Sequence, residues 1–172
     1  SITLREAMIY GTAGFTAAQC LARLRGYGLG PEKGEIVVTG STGGVGSMAV
    51  SFLAKCGYHV AAVTGKPDQR GFLLDLGAKE VIGREDIGEA SGKPLLKPRW
   101  AGAVDTVGGP MLETLIKSIQ HRGAVACCGN VASPDIHTTV FPFILRGVSL
   151  FGIDSANCPP VRMTRARATC PS

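Results

Sequence analysis

The chain has 172 residues, 45% of them hydrophobic, with a mean hydropathy of +0.20 and a net charge of +5. That length and apolar content suit one domain with a real core and argue against disorder. The apolar runs are short and broken by Gly or charge, so none approaches a membrane span. Ser1–Tyr10 lacks the basic-then-apolar order of a signal peptide, which gives the cytoplasm as the expected compartment.

Residues 1–28 read as two helical pieces around Gly11-Thr-Ala-Gly-Phe-Thr16, the second ending near Gly26 and Gly28. Pro31-Glu-Lys-Gly34 is a turn, and residues 1–33 form a helical segment packed on the domain that follows. From there, Ile36–Thr39, Tyr58–Val63, Glu80–Ile82, Ala103–Val107 and Ala124–Cys128 are short apolar runs rich in Val, Ala and Ile, suited to parallel strands buried on both faces. Between them fall the helical patterns Ser47–Cys56, Pro67–Leu76 and Met111–Ile119. Gly57 and Gly77 stand where left-handed C-terminal caps are needed, and Pro67 suits a first helical turn. The stretch Gly83–Arg99 is polar and irregular, read as a surface helix turn and loop, with Trp100 after it as a core or loop plug. A short helical run, Phe141–Leu145, leads to a sixth strand, Val148–Ile153. The alternation predicts an α/β domain over residues 34–155, a doubly wound parallel sheet of about six strands with helices on both faces.

Residues 156–172 read as an irregular basic tail. Arg162, Arg165 and Arg167 lie in its last twelve residues with no acid, and without them the net charge is +2. A solvated end explains that balance better than nucleic-acid binding. The six cysteines form no C-x-x-C pair, Cys127 and Cys128 are adjacent, and His59, His121 and His137 show no ligand-like spacing with them. Small buried hydrophobes is the better reading, and no metal site is expected.

The most informative stretch is Glu35-Ile-Val-Val-Thr-Gly-Ser-Thr-Gly-Gly-Val-Gly46, a strand running into a glycine turn that opens a helix. Glycines let the backbone come close to a pyrophosphate, and the first N–H groups of the helix point at its charge. Gly43 allows that approach and Gly46 allows the helix to pack close on the sheet, while Ser41 stands where the first glycine of G-x-G-x-x-G is usual. At the end of the second strand, Val63-Thr-Gly-Lys66 offers no acid for the ribose hydroxyls of NAD, and Arg70 lies one helical turn on. Charge-assisted hydrogen bonds of about 1.5–3 kcal/mol each would favour NADPH by about tenfold to a hundredfold. The alternative is that Lys66 and Arg70 are ordinary solvated cations. Asp105-Thr-Val-Gly-Gly109 and Cys128-Gly-Asn130 follow the fourth and fifth strands, where ligands of open α/β sheets bind. Asp105 is equally suited to anchoring a ligand or capping the next helix.

Gly11-Thr-Ala-Gly-Phe-Thr-Ala17, Gly34-Glu-Ile-Val-Val-Thr-Gly40, Gly43-Gly-Val-Gly46 and Ala101-Gly-Ala-Val-Asp-Thr-Val-Gly108 together resemble the medium-chain dehydrogenase/reductase superfamily in its zinc-independent quinone-oxidoreductase branch. Pro142-Phe-Ile-Leu-Arg-Gly-Val148 and Phe151-Gly-Ile-Asp-Ser155 look like the YhdH-type proteins, which include acrylyl-CoA reductases. The resemblance spans residues 1 to about 160. It implies a Rossmann domain binding NADP(H), with Thr42, Gly43, Gly44 and Val45 cradling the pyrophosphate. Thr64, Gly65 and Lys66 would read the 2′-phosphate, with Arg84 near the adenosine. Thr12, Gly129, Asn130 and the strand holding Gly152 would line the nicotinamide side, and Ser41, Gly46, Arg70, Val107 and Gly108 complete the expected cofactor-binding set. It further implies a homodimer through the Val148–Ile153 edge and hydride transfer to the activated double bond of an enoyl thioester, enone or quinone.

In that family a GroES-like catalytic domain precedes this segment and supplies much of the substrate pocket; nothing before Ser1 represents it. The expectation is a cofactor domain with little or no turnover alone. A short-chain dehydrogenase reading fails for want of Tyr-x-x-x-Lys, since Tyr10, Tyr27 and Tyr58 are followed four residues on by Gly14, Pro31 and Ala62. The runner-up is a non-catalytic NADPH-binding or dimerisation module.

Overall fold

The first helix, α1 (Leu4–Gly26), starts where Thr3 and Glu6 cap each other. The Glu6 N–H donates to the Thr3 hydroxyl at 3.2 Å, and the Thr3 N–H donates to the Glu6 carboxylate at 2.8 Å. At Gly11 the helix kinks, with φ +45° and ψ −151°, dividing it into the two pieces expected. A side chain would oppose that positive φ. The second piece buries Ala17, Cys20, Leu21 and Leu24. These and all later statements concern the residues the computed structural model describes, 3–87 and 92–158.

Six parallel strands follow: β1 (Ile36–Val38), β2 (Val60–Thr64), β3 (Glu80–Gly83), β4 (Trp100–Asp105), β5 (Ile119–Cys127) and β6 (Ser149–Gly152). They lie in the order β3-β2-β1-β4-β5-β6, so the chain reverses its winding between β1 and β4. Both faces of the central strands are buried. Ile36, Val38, Val60 and Ala62 face a core layer shared with α1, α2 (Gly44–Lys55) and Leu73 of α3 (Arg70–Asp75). Val37, Ala61, Val63 and Ala103 face the other layer, filled by Leu112, Leu115 and Ile116 of α4 (Gly109–Ser118). Complete burial of a Leu or Ile side chain is worth about 1.5–3 kcal/mol, so the two layers hold the sheet from both sides. The short α5 (Phe141–Arg146) ends at Gly147 in the left-handed conformation and leads into β6.

The differences from the sequence reading are local. β5 begins five residues before Ala124, because Ile119 pairs with Trp100 before a register shift, and Arg122 turns through φ +58°. Trp100 is therefore a buried strand residue, with the Arg99 guanidinium 3.9 Å above its ring. Pro67–Gln69 forms a 3-10 turn before α3 instead of one continuous helix. Within 83–99, a turn follows β3 and a segment without regular secondary structure precedes β4; residues 88–91 of that stretch lie outside the described residues. The tail expected at 156–172 is described only to Cys158, where the Ala156 and Asn157 N–H groups donate to Asp154.

Candidate cofactor site

The glycine turn stands at the point where the winding reverses. Gly43 caps the 12-residue α2 in an extended conformation, and the Ser47 N–H makes the first intrahelical bond, to the Gly43 carbonyl at 2.9 Å. The N–H groups ahead of Ser47 therefore have no partner within the helix, a suitable cradle for an anion. Gly43 and Gly44 are exposed and present only backbone, whereas Gly46 is buried. A Cβ at Gly46 would meet the Gly40 carbonyl oxygen and lie 2.9 Å from the Ser41 Cα. The close packing of α2 on the turn that the sequence assigned to Gly46 is what leaves no room there for a side chain.

Ser41, where the first glycine of the turn is usual, acts through its side chain on the strands beneath. Its side chain is fully buried, donating to the Val38 carbonyl at 2.7 Å and accepting from the Val63 N–H at 3.0 Å. It stitches β1 to β2 beneath the turn, so its hydroxyl is not presented to a phosphate. Thr42 is half-buried, and Val45 packs partly against the core. Thr12 lies on the exposed side of the α1 kink, and its neighbour Ala13 sits 3.4 Å from the position a Gly44 Cβ would take.

On the β4–β5 side the strand ends are knotted together. Fully buried Asp105 accepts from the Thr39 hydroxyl at 2.7 Å and from the Gly108 N–H at 2.9 Å. Thr39 in turn accepts from the Thr106 N–H at 3.1 Å, and the Thr106 hydroxyl donates to the Thr39 carbonyl at 3.0 Å. Asp105 thus braces the turn before α4, which favours the capping role over a ligand anchor. The sequence pointed to Asp105 but missed Thr39 and Thr106. Thr39 is the first polar residue after the apolar Ile36–Val38 and Thr106 follows Asp105 at the end of β4; polar residues at the ends of adjacent buried strands are the signal that could have found them.

Gly108, at φ +73°, is packed against Ser133 and lies 3.0 Å from the Asn130 Cα, measured from its would-be Cβ. Gly129 abuts the Thr106 carbonyl, and Val107 approaches Gly40. Val107, Gly108, Gly129 and Asn130 are therefore gathered beside the glycine turn. Gly152 is exposed on β6, paired with Cys127 one strand farther out.

Burial pushes the Asp105 carboxyl above its ordinary value, while the bonds from Thr39, Gly108 and Val107 pull it down less strongly. A folded value above the unfolded one means this group favours folding fully below about pH 4, with the benefit lost as pH rises through the folded value. The stability advantage of the native protein over Asp105→Asn should accordingly be greater at pH 4 than at pH 7. Urea-unfolding midpoints of the two proteins that run parallel across that range would refute the assignment.

On the other side, at the ends of β2 and β3, the Thr64 hydroxyl accepts from the Lys66 N–H at 3.0 Å and fixes the turn into Lys66. Gly65 and Lys66 are exposed. The Arg84 guanidinium, from the turn after β3, lies 3.0 Å from the position of a Gly65 Cβ, next to Lys66 in the chain. Arg70 is directed elsewhere, donating to the Val81 carbonyl at 3.0 Å. Two nearby acids are engaged locally, Asp68 with the Gln69 amide and Glu85 over Gly83.

Among the described residues no group of three or more His, Cys, Asp or Glu could hold a metal ion, and no helix is long and apolar enough to cross a membrane. The strand order, with a glycine turn and helix N-terminus at the reversal point, defines a Rossmann-type α/β domain. Residues 44–167 match the family described as "Zinc-binding dehydrogenase". The chain is 48% identical over 162 residues to the "Probable acrylyl-CoA reductase AcuI" of Escherichia coli (strain K12), covering 94% of this chain and 49% of that protein. The yhdH oxidoreductase from Salmonella enterica, solved in complex with NADP, superposes with a TM-score of 0.93 at 47% identity, over 97% of this chain and 51% of that one. The Bacillus subtilis protein yhfP, solved with NAD bound, gives 0.93 at 52% identity, over 96% and 50%. The chain spans about half the length of these relatives. It belongs to the zinc-binding dehydrogenase family of medium-chain dehydrogenase/reductases, and within it to the zinc-independent branch of YhdH- and AcuI-type proteins.

Proposed function

We propose that this chain binds NADP(H) as the cofactor domain, residues 34–155, of an oxidoreductase that reduces an activated C=C bond in an enoyl thioester, enone or quinone. The observation that carries the reading is the exposed Gly43–Gly44 backbone at the head of α2, with Lys66 just past β2 and the Arg84 guanidinium, from the turn after β3, reaching its neighbour Gly65. When bound, the cofactor supplies the hydride. The chain's own residues hold it. Backbone from Thr42 to Val45 receives the pyrophosphate, and Lys66 and Arg84 meet the 2′-phosphate. Thr12, Val107, Gly108, Gly129 and Asn130 line the nicotinamide side. The substrate class is supported by the acrylyl-CoA reductase relative.

Binding titrations with NADPH and NADH test the cofactor assignment. NADPH is expected to bind at least about tenfold more tightly, and Lys66→Ala should remove most of that difference by deleting one charge-assisted contact. Equal affinity of the native chain for both cofactors would sink the 2′-phosphate reading, a live outcome because one relative was solved with NAD.

β6 is the outer strand of the sheet, with its far edge unpaired among the described residues, which supports a homodimer in which two copies extend the sheet. The cysteine spacing, which suits no disulfide framework, supports a cytoplasmic setting.

A further inference from the structure

Beyond β6 the chain is held at three successive residues. The Ile153 N–H donates to the Cys127 carbonyl at 2.9 Å, carrying the ladder one residue past Gly152. Asp154 accepts from the Ala156 and Asn157 N–H groups, each at 3.0 Å, and turns the backbone there. Between them, the Ser155 hydroxyl lies 2.8 Å from the hydroxyl of Thr16 on α1, a contact between residues 139 apart in sequence. Thr16 is buried, and its hydroxyl also lies 2.8 Å from the Thr12 carbonyl. A hydroxyl has one proton, and a carbonyl only accepts. The Thr16 proton therefore goes to Thr12, and Ser155 supplies the proton of the second bond.

This tie joins the two flanks of one end of the site. Thr12 opens the second piece of α1 just after the Gly11 kink, and Ala13 beside it approaches Gly44 of the glycine turn. Ser155 belongs to the segment that leaves β6 alongside the end of β5, from which Gly129 and Asn130 continue. On the NADP(H) reading above, we propose that Thr16 and Ser155 are positioning residues for the nicotinamide half of the cofactor. Their hydroxyl pair fixes the spacing between the Thr12 end of α1 and the segment after β6, the two walls that hold that half. Neither hydroxyl is offered to the cofactor, since Thr16 is enclosed and the Ser155 proton is spent on it. Both act through Thr12 and through the backbone that follows β6. An apolar side chain of the same shape could fill the space at Thr16, but it could not fix the direction of approach as a hydrogen bond does.

Titrations of the chain with NADPH and with adenosine 2′,5′-bisphosphate, which lacks the nicotinamide half, separate this role from a general one. Thr16→Val keeps the branched shape and removes the hydroxyl. It should weaken NADPH about threefold to tenfold and leave the bisphosphate unchanged. Ser155→Ala should do the same, and the double variant should lose less than the product of the two single losses. Thr16→Ser restores the hydroxyl and should bind as the native chain does. The emission of NADPH comes from its reduced nicotinamide, so its shift on binding should be kept in Thr16→Ser and diminished in Thr16→Val. Equal weakening of both ligands, no weakening of either, or a Thr16→Ser chain that behaves like Thr16→Val would overturn the proposal. A native chain that fails to bind the bisphosphate would overturn the NADP(H) reading, and the proposal with it. Ser155 is only half-buried, so the Ser155→Ala result decides the matter even if Thr16→Val folds poorly.

Discussion

Gly46→Val is expected to abolish measurable NADPH binding and to destabilise the fold by about 3 kcal/mol, in the upper range for overpacking a filled site. Gly46 is buried under the turn, and its absent side chain is where the Gly40 carbonyl oxygen and the Ser41 Cα lie. These obstacles are backbone, so no rotamer change relieves them. α2 would have to lift from β1, moving the Gly43–Gly44 backbone that receives the pyrophosphate. Urea unfolding and cofactor titration should therefore fail together. Gly71→Ala provides the contrast. It sits exposed in the first turn of α3, with nothing within 4 Å of a new Cβ. There the substitution should leave binding intact and stabilise by about 0.5–1 kcal/mol through lost freedom of the unfolded chain. Similar effects of the two substitutions would remove the packing argument.

Asp105→Ala should cost about 2–4 kcal/mol, several times more than Asp105→Asn. Alanine leaves the buried Thr39 hydroxyl and the Gly108 N–H without their acceptor. Asparagine still offers one carbonyl to Gly108 and can donate its amide to Thr39, while shedding a charge that burial disfavours. Hydrogen exchange at the Gly108 amide is the local readout and should accelerate in the alanine variant. Unchanged exchange there, with equal midpoints for the two variants, would mean that Asp105 does not brace the β4–α4 turn.

The sheet and the glycine turn were readable because their signals are local. Short Val/Ile runs fix buried parallel strands, and the spacing of Gly43, Gly44 and Gly46 follows from backbone contact alone. What the Ser41 side chain does was not legible, because position in a motif does not say which side of the turn a side chain occupies. Its hydroxyl is spent between Val38 and Val63, a pairing across two strands that no single stretch of sequence displays. The start of β5 was hidden for a similar reason. Gln120-His-Arg-Gly123 looks like a turn, and only pairing of Ile119 with Trp100 makes it strand. Arg84 was reached through family resemblance. Its approach to Gly65 depends on the turn after β3 folding back over the end of β2.

The two margins of the sheet are unlike. On β3, exposed Glu80 pairs with Arg99 at 3.2 Å, and Arg70 occupies the Val81 carbonyl. The β6 margin, Ser149-Leu-Phe-Gly152, carries no charge. Charged side chains discourage a further strand from adding to an edge, whereas an uncharged edge accepts one. The proposed pairing would therefore give the sheet a valence of one: two copies joined through like edges would close on each other about a two-fold axis and present only charged margins outward, so growth would end at the pair instead of continuing into a fibre.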